Sequence, residues 1–234
     1  RTGIGEWIDE KVLVNAIVAL LATGGSTNHT MHWVAIAQAA GFELTWQDID
    51  ALSRVTPLLT RLYPNGDADV NDFDRVGGTA FLFRELLAAG LMHDDVQTVM
   101  GRGMWPYTQA LGVHDARAGA GLVYRPALAE SADHDVLRPV SRPFAPEGGL
   151  RMLGGNLGEA VVKVSAVAAE HRAITAPAQV FDTQAAVLAA FNSNRFDHDC
   201  VVIVRFQGPR ACGMPELHQL TPALSVLLDR GIRV

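Results

Sequence analysis

The segment Gly24-Gly25-Ser26-Thr27-Asn28-His29 puts two glycines, three polar side chains and an imidazole into six residues. It lies between two helical stretches. Unpaired backbone N–H groups at the start of the second, with the positive end of its dipole, favour an anion there. The same residues also fit a plainer role, in which Gly24-Gly25 ends one helix and Ser26 or Thr27 caps the next. His29 and His32 lie three apart on one helical face, a spacing that suits a metal pair or, without a third ligand, an exposed pair.

A second candidate is Gly208-Pro-Arg-Ala-Cys-Gly-Met-Pro-Glu216. It follows a β-branched run and precedes a helix, where open α/β structures tend to place ligands. Glu216 is a hard oxygen ligand suited to Mg²⁺, and equally an acidic residue suited to a helix first turn. Arg205 and Arg210 can meet a carboxylate or phosphate bidentately, or form surface ion pairs. The run Asp67-x-Asp69-x-Asn71 resembles a calcium loop but fails it. Its sixth position holds Asp72 where glycine is needed, and its twelfth holds Gly78 where a bidentate Glu is needed. An Asn/Asp turn with solvated or backbone-bonded side chains is expected instead. Cys200 and Cys212 are not spaced as a CxxC pair, and no His stands at ligand spacing from either. Cys200 reads as core and Cys212 as a loop thiol.

The elements that must position these residues change character along the chain. Asp9 to Ala22 predicts a helix, and a second runs from Ser26 or Thr27 to Ala40, with Gly41 as its stop. Thr45-Trp46-Gln47-Asp48 fits a capping box opening a third, with Ile49 and Leu52 inward. Tyr63 to Asp74 reads as a turn-rich loop centred on Asn65-Gly66. A further helix is expected over Gly78–Ala89 and a short one near Asp94–Met100. From Gly101 to Pro146 the periodicity fades as in an interdomain connection, with a boundary expected near Arg125 to Asp135. Val161–Val167 alternates like a half-buried strand, Thr183–Phe191 reads as a short helix, and Cys200–Phe206 as a buried strand. A helix then carries Leu217, Leu220, Leu224 and Leu227, and Ile232–Val234 opens another strand. The fold class expected is α/β, with a mostly helical part over 1–130 and a β-rich part over 131–234.

Composition narrows the function. At 234 residues the chain can bury a real core. A net charge of −6 excludes a general nucleic-acid binder. Of 19 basic residues only Lys11 and Lys163 are lysines. Two cysteines are too few for a disulfide framework, so a reduced cytoplasmic setting is expected. No apolar run is long enough to cross a membrane. Arg1 is no initiator, and the chain reads as a piece of something longer.

Taken together, several ordered blocks resemble the dihydroxy-acid/6-phosphogluconate dehydratase family. They are LLATGGSTNHTMH, YPNGDADVNDF, GGTAFLFRELL, LGGNLGEAVVKVSAVA and VVIVRFQGPRACGMPELHQLTPAL. His29 and the loop from Arg205 to His218 are similar to the phosphogluconate branch. The resemblance implies dehydration of 6-phospho-D-gluconate to 2-keto-3-deoxy-6-phosphogluconate in the Entner–Doudoroff pathway. The alternatives are another sugar-acid or dihydroxy-acid dehydratase, or a non-catalytic binding module. It also implies a helical piece of the family's N-terminal domain, then the start of its β-barrel-like C-terminal domain.

The family uses an iron–sulfur cluster, expected as 4Fe-4S, a divalent cation such as Mg²⁺ and a serine base. The resemblance puts the cluster cysteines upstream of Arg1 and the base beyond Val234, so no catalytic residue is expected within the chain. Glu216 is the one metal ligand implied here. Ser26, Thr27, Asn28, His29 and Arg210 are implied as substrate-binding. The chain alone is expected to be inactive and to hold no cofactor tightly. The expected partners are a sugar-acid phosphate and a second copy in a homodimer, with neither nucleic acid nor membrane.

Overall fold

The computed structural model describes residues 3–113, 121–213 and 217–234. The chain divides into two compact units, 1–168 and 169–234.

The first unit is mainly helical. Asp9 caps α1 (Glu10–Ala22) by accepting from the Val12 N–H at 2.8 Å. Helices α2 (Thr27–Ala39) and α3 (Trp46–Val55) follow, and the capping box of Thr45 and Asp48 is present as expected. The Asn/Asp-rich loop resolves into a cap. Asp69 accepts from the N–H groups of Asn71 and Asp72 and starts α4 (Val70–Arg75). Two glycines at positive φ, Gly77 and Gly78, then admit α5 (Gly78–Ala88). Phe81, Leu82 and Leu86 of α5 pack with Val18, Ala22, Leu59 and Leu137 in the main core. A second cluster joins Ile17 and Leu21 of α1 to Ile49 and Leu150.

Two expectations need correction here. The stretch near Asp94–Met100 is no helix but part of a small hairpin, β1 (Gln97–Thr98) antiparallel to β2 (Gly101–Arg102). The Asp94 carboxylate accepts from the Met104 N–H at 2.7 Å. Gly101 and Gly103 take positive φ, which turns the chain back. The stretch 101–146 is likewise more than a connection. It holds the hairpin of β3 (Gln109–Val113) and β4 (Leu122–Pro126). Its later part pairs with residues 58–61, through Leu58 N–H to Ala145 C=O at 3.0 Å and Arg138 N–H to Leu59 C=O at 2.8 Å. Leu137 and Leu150 are buried in the first unit's cores. Compact packing thus keeps residues 131–168 with the helices.

Strands β5 (Leu150–Gly155) and β6 (Gly158–Lys163) form an antiparallel pair lying against α3. The strand expected over Val161–Val167 ends at Lys163, where Val164–Ala166 turns into a 3-10 helix.

The second unit is a parallel βαβ arrangement. β7 (Ala178–Phe181) pairs with β8 (Val201–Val204) across α6 (Gln184–Asn192), which Thr183 caps. Four-residue α7 (Pro209–Cys212) and then α8 (Thr221–Asp229) complete it. β8 is shorter than the Cys200–Phe206 run and half-buried, not fully buried. Val187, Ala190, Phe196, Cys200, Leu220 and Leu227 form its core, whereas Leu217 is exposed. Ile232–Val234 adds no strand. Arg233 instead ties the segment down, its C=O accepting from Cys200 N–H at 3.0 Å and its N–H donating to Asp199 at 2.9 Å. Helices thus dominate early and small two-stranded sheets come late, as an α/β chain.

Candidate functional site

The end of α1 and the start of α2 are built by the residues singled out in the sequence. Thr23 closes α1, and Gly24 takes φ 60°, the left-handed region. Gly24 N–H reaches Leu21 C=O at 3.1 Å and Gly25 N–H reaches Leu20 C=O at 2.8 Å. This double closure satisfies carbonyls the helix end would leave free. Gly24 needs its glycine for the left-handed φ, and a Cβ on Gly25 would displace the end of the Leu20 side chain.

Ser26 is extended and caps α2, its Oγ accepting from the Asn28 N–H at 3.2 Å. The capping role is therefore real, performed by Ser26 and not by Thr27. Ser26 and His29 are exposed, and Thr27 and Asn28 are half-buried. The His29 ring stacks on Trp33 at 5.4 Å and meets His32 edge-on at 6.5 Å. Among the described residues no three His, Cys, Asp or Glu side chains gather to hold a metal ion. The His29/His32 pair makes an edge-on ring contact.

Two further residues meet this turn that spacing did not single out. Asn65 Nδ2 donates to Gly24 C=O at 3.1 Å, and Ser165 Oγ donates to Asn65 Oδ1 at 3.1 Å. A carbonyl only accepts, so the amide's orientation follows from chemistry. A Cβ on Gly24 would run into Asn65, and one on Gly149 would run into Ser165. Three separated blocks, GGSTN, YPNG and KVS, are thus linked through Asn65, which bonds the Gly24 carbonyl and is itself held by Ser165. The signal was available only as shared membership in blocks already marked by resemblance.

Lys163, two residues before Ser165, is half-buried, and burial alone lowers its pKa from the ordinary 10.5. No carboxylate partners it among the described residues.

Arg210 belongs to the second unit, exposed on α7. Arg205 sits at the C-terminal end of β8 and bonds Asp182 through Nε at 2.7 Å, so it is a surface ion-pair former. Phe206 takes φ 59° beside it, and Cys212 Sγ lies 3.3 Å from the Phe206 carbonyl. Glu216 lies outside the described residues.

The thiols do not fit an iron–sulfur cluster, which takes three or four thiolates. The sequence has two cysteines. Cys200 is wholly buried among apolar side chains, and burial, seconded by the Asp199 carboxylate, raises its pKa and keeps it a thiol. No helix among the described residues is long and apolar enough to cross a membrane.

Residues 3–106 match the family model "Dihydroxy-acid/6-phosphogluconate dehydratase N-terminal", and residues 135–233 match its C-terminal counterpart. The chain is 56% identical over 231 residues to a phosphogluconate dehydratase of Pseudomonas aeruginosa, with 99% of this chain and 37% of that protein covered. It is 53% identical over 231 residues to the phosphogluconate dehydratase of Escherichia coli K12, covering 99% and 38%. A dihydroxy-acid dehydratase of Oleidesulfovibrio alaskensis is 38% identical over 221 residues, covering 93% and 37%. The chain therefore spans a little over a third of the length of the curated relatives it matches. With both family models matched in order and the relatives aligned along almost all of it, the chain belongs to the dihydroxy-acid/6-phosphogluconate dehydratase family.

Proposed function

We propose that this chain contributes to a phosphogluconate dehydratase, a hydro-lyase that turns 6-phospho-D-gluconate into 2-keto-3-deoxy-6-phosphogluconate and water. The carrying observation is the 56% identity to a protein of that name along 99% of the chain. The dihydroxy-acid relative, at 38%, supports the family but is more distant from this chain than the phosphogluconate relatives.

In this reaction C2 loses a proton and C3 its hydroxyl, which leave together as water. The enol left behind tautomerises to the 2-keto acid. The part given to this chain is substrate binding by the Gly24–His29 turn, with Arg210 as a guanidinium for the anionic ends and Glu216 as a divalent-cation ligand. The exposed edge of the turn at Ser26 and His29 supports the first assignment. The Glu216 assignment is supported by resemblance of the GMPE block alone. An iron–sulfur cluster, a divalent cation, a homodimer and a cytoplasmic setting belong to the same proposal.

The test is substrate profiling of the full-length protein, purified without oxygen, on 6-phosphogluconate and dihydroxyisovalerate. The expected outcome is a kcat/KM for 6-phosphogluconate at least about a hundredfold higher. A preference for dihydroxyisovalerate sinks the proposal. The 234-residue chain alone should turn over neither substrate and bind no cluster on anaerobic reconstitution; turnover by it would place the catalytic groups inside this sequence.

A further inference from the structure

We infer that Asn65, held by Ser165, is a positioning residue that fixes the Gly24–His29 turn for the substrate. The inference rests on the proposed substrate role of that turn, and its structural half can be tested without substrate.

Two successive glycines give the chain more freedom than any other pair of residues, and a side-chain donor array built on them scatters unless something restrains it. The backbone closure onto α1 holds the two N–H groups, and Asn65 adds the side-chain restraint. Its Nδ2 donates to Gly24 C=O at 3.1 Å, immediately before the residues that carry the polar side chains. Asn65 packs so closely against Gly24 that no Cβ fits between them.

Asn65 is itself fixed from two directions. Its N–H donates to Leu62 C=O at 2.7 Å, which closes the turn it sits in, and Ser165 Oγ donates to its Oδ1 at 3.1 Å. Gly66 must be glycine because a Cβ there would press on the Arg61 backbone. Ser165 in turn fills the space a side chain at Gly149 would take, and its N–H reaches Gly149 C=O at 3.3 Å. The order of dependence is Gly149, Ser165, Asn65, Gly24, then the turn. All of these links are half-buried or better, where water competes poorly with the amide.

A residue of this kind acts on substrate binding more than on the chemical step. An aspartate at 65 keeps the shape but replaces the donor with an acceptor facing the Gly24 carbonyl, so it should be at least as harmful as alanine. Thr at 165 keeps the hydroxyl; Ala does not.

The experiment has two arms. In the first, amide hydrogen exchange is followed at residues 25–29 of the chain in wild type, Asn65→Ala, Asn65→Asp, Ser165→Ala and Ser165→Thr. Exchange there should accelerate by about tenfold for both Asn65 variants and by less for Ser165→Ala. Ser165→Thr should match wild type. In the second arm the full-length enzyme is assayed on 6-phosphogluconate. KM should rise about tenfold in the Asn65 variants with kcat within about threefold, and Ser165→Thr should restore wild-type values where Ser165→Ala does not. Should the Asn65 variants fail to fold, the Ser165 pair carries both readouts. Unchanged exchange at residues 25–29 overturns the clamp. Faster exchange with unchanged KM overturns its role toward substrate. A wild-type enzyme inactive on 6-phosphogluconate removes the functional reading and leaves the exchange arm to judge the clamp.

Discussion

Gly24 is the residue on which most constraints meet. Its φ of 60° and its contact with Asn65 act together, so alanine there is strained twice. Gly24→Ala should lower stability by about 2 kcal/mol, combining left-handed strain with the displaced amide. Urea unfolding of the two proteins side by side checks this, and a loss under a few tenths of a kcal/mol would mean the turn simply relaxes. Lys163 presents the opposite case, a cost retained. Burial lowers its folded-state pKa below the ordinary 10.5. The folded state therefore resists charging it, a penalty present below the lowered folded-state value that fades as pH rises from there to the ordinary value. Lys163→Met should raise the Tm by about 2 °C near neutrality, a small gain because the amine is only half-buried. The advantage should narrow as pH approaches the ordinary lysine value from below and vanish above it. A lower Tm would show that the amine has a stabilising partner.

At the scale of elements, Asp50 is the joint between α3 and β5. Its Oδ1 accepts from Met152 N–H at 2.9 Å and its Oδ2 from Arg54 Nε at 2.8 Å, with Arg151 at 4.0 Å. Partial burial pushes its pKa up, but the Met152 N–H and the two arginines outweigh this and hold it below the ordinary carboxylate value. A depressed pKa gives stability that is present above the unfolded-state value and lost as pH falls through the folded-state one. Asp50→Asn should cost about 1 kcal/mol at pH 7 and less at pH 3, so the two stability curves converge in acid. Denaturant melts across that range are the check, and parallel curves would assign the acid sensitivity elsewhere. Several element boundaries were legible where a local cap decided them, though the Asp69 cap of α4 reads in the sequence as part of a loop. Asp9, Thr45 and Thr183 start their helices where polar side chains precede apolar periodicity. The hairpin at Gln97–Arg102 was not, because Asp94 bonds forward to Met104, ten residues away.

Across the whole molecule the two units have separate cores and separate probes. All four tryptophans, Trp7, Trp33, Trp46 and Trp105, lie in residues 1–168. Leu86→Ala, at a position with no solvent exposure, should destabilise by about 2–5 kcal/mol and shift the fluorescence transition. Leu227→Ala should cost as much but register in the helical ellipticity of 169–234. Equal shifts of the fluorescence midpoint in both variants would show that the cores unfold as one.

Family, fold class and most helix starts were determined by the sequence itself. Caps, glycine stops and ordered motif blocks are local, and local chemistry is carried by neighbours in the chain. Tertiary structure alone decided that residues 131–168 pack with the helices and that Arg205 is spent on Asp182. It also decided that Asn65 closes on the Gly24 carbonyl and Ser165 on the Asn65 side chain. Those bonds span 41 and 100 residues. No spacing rule reaches so far, because such contacts form only when burial brings the blocks together.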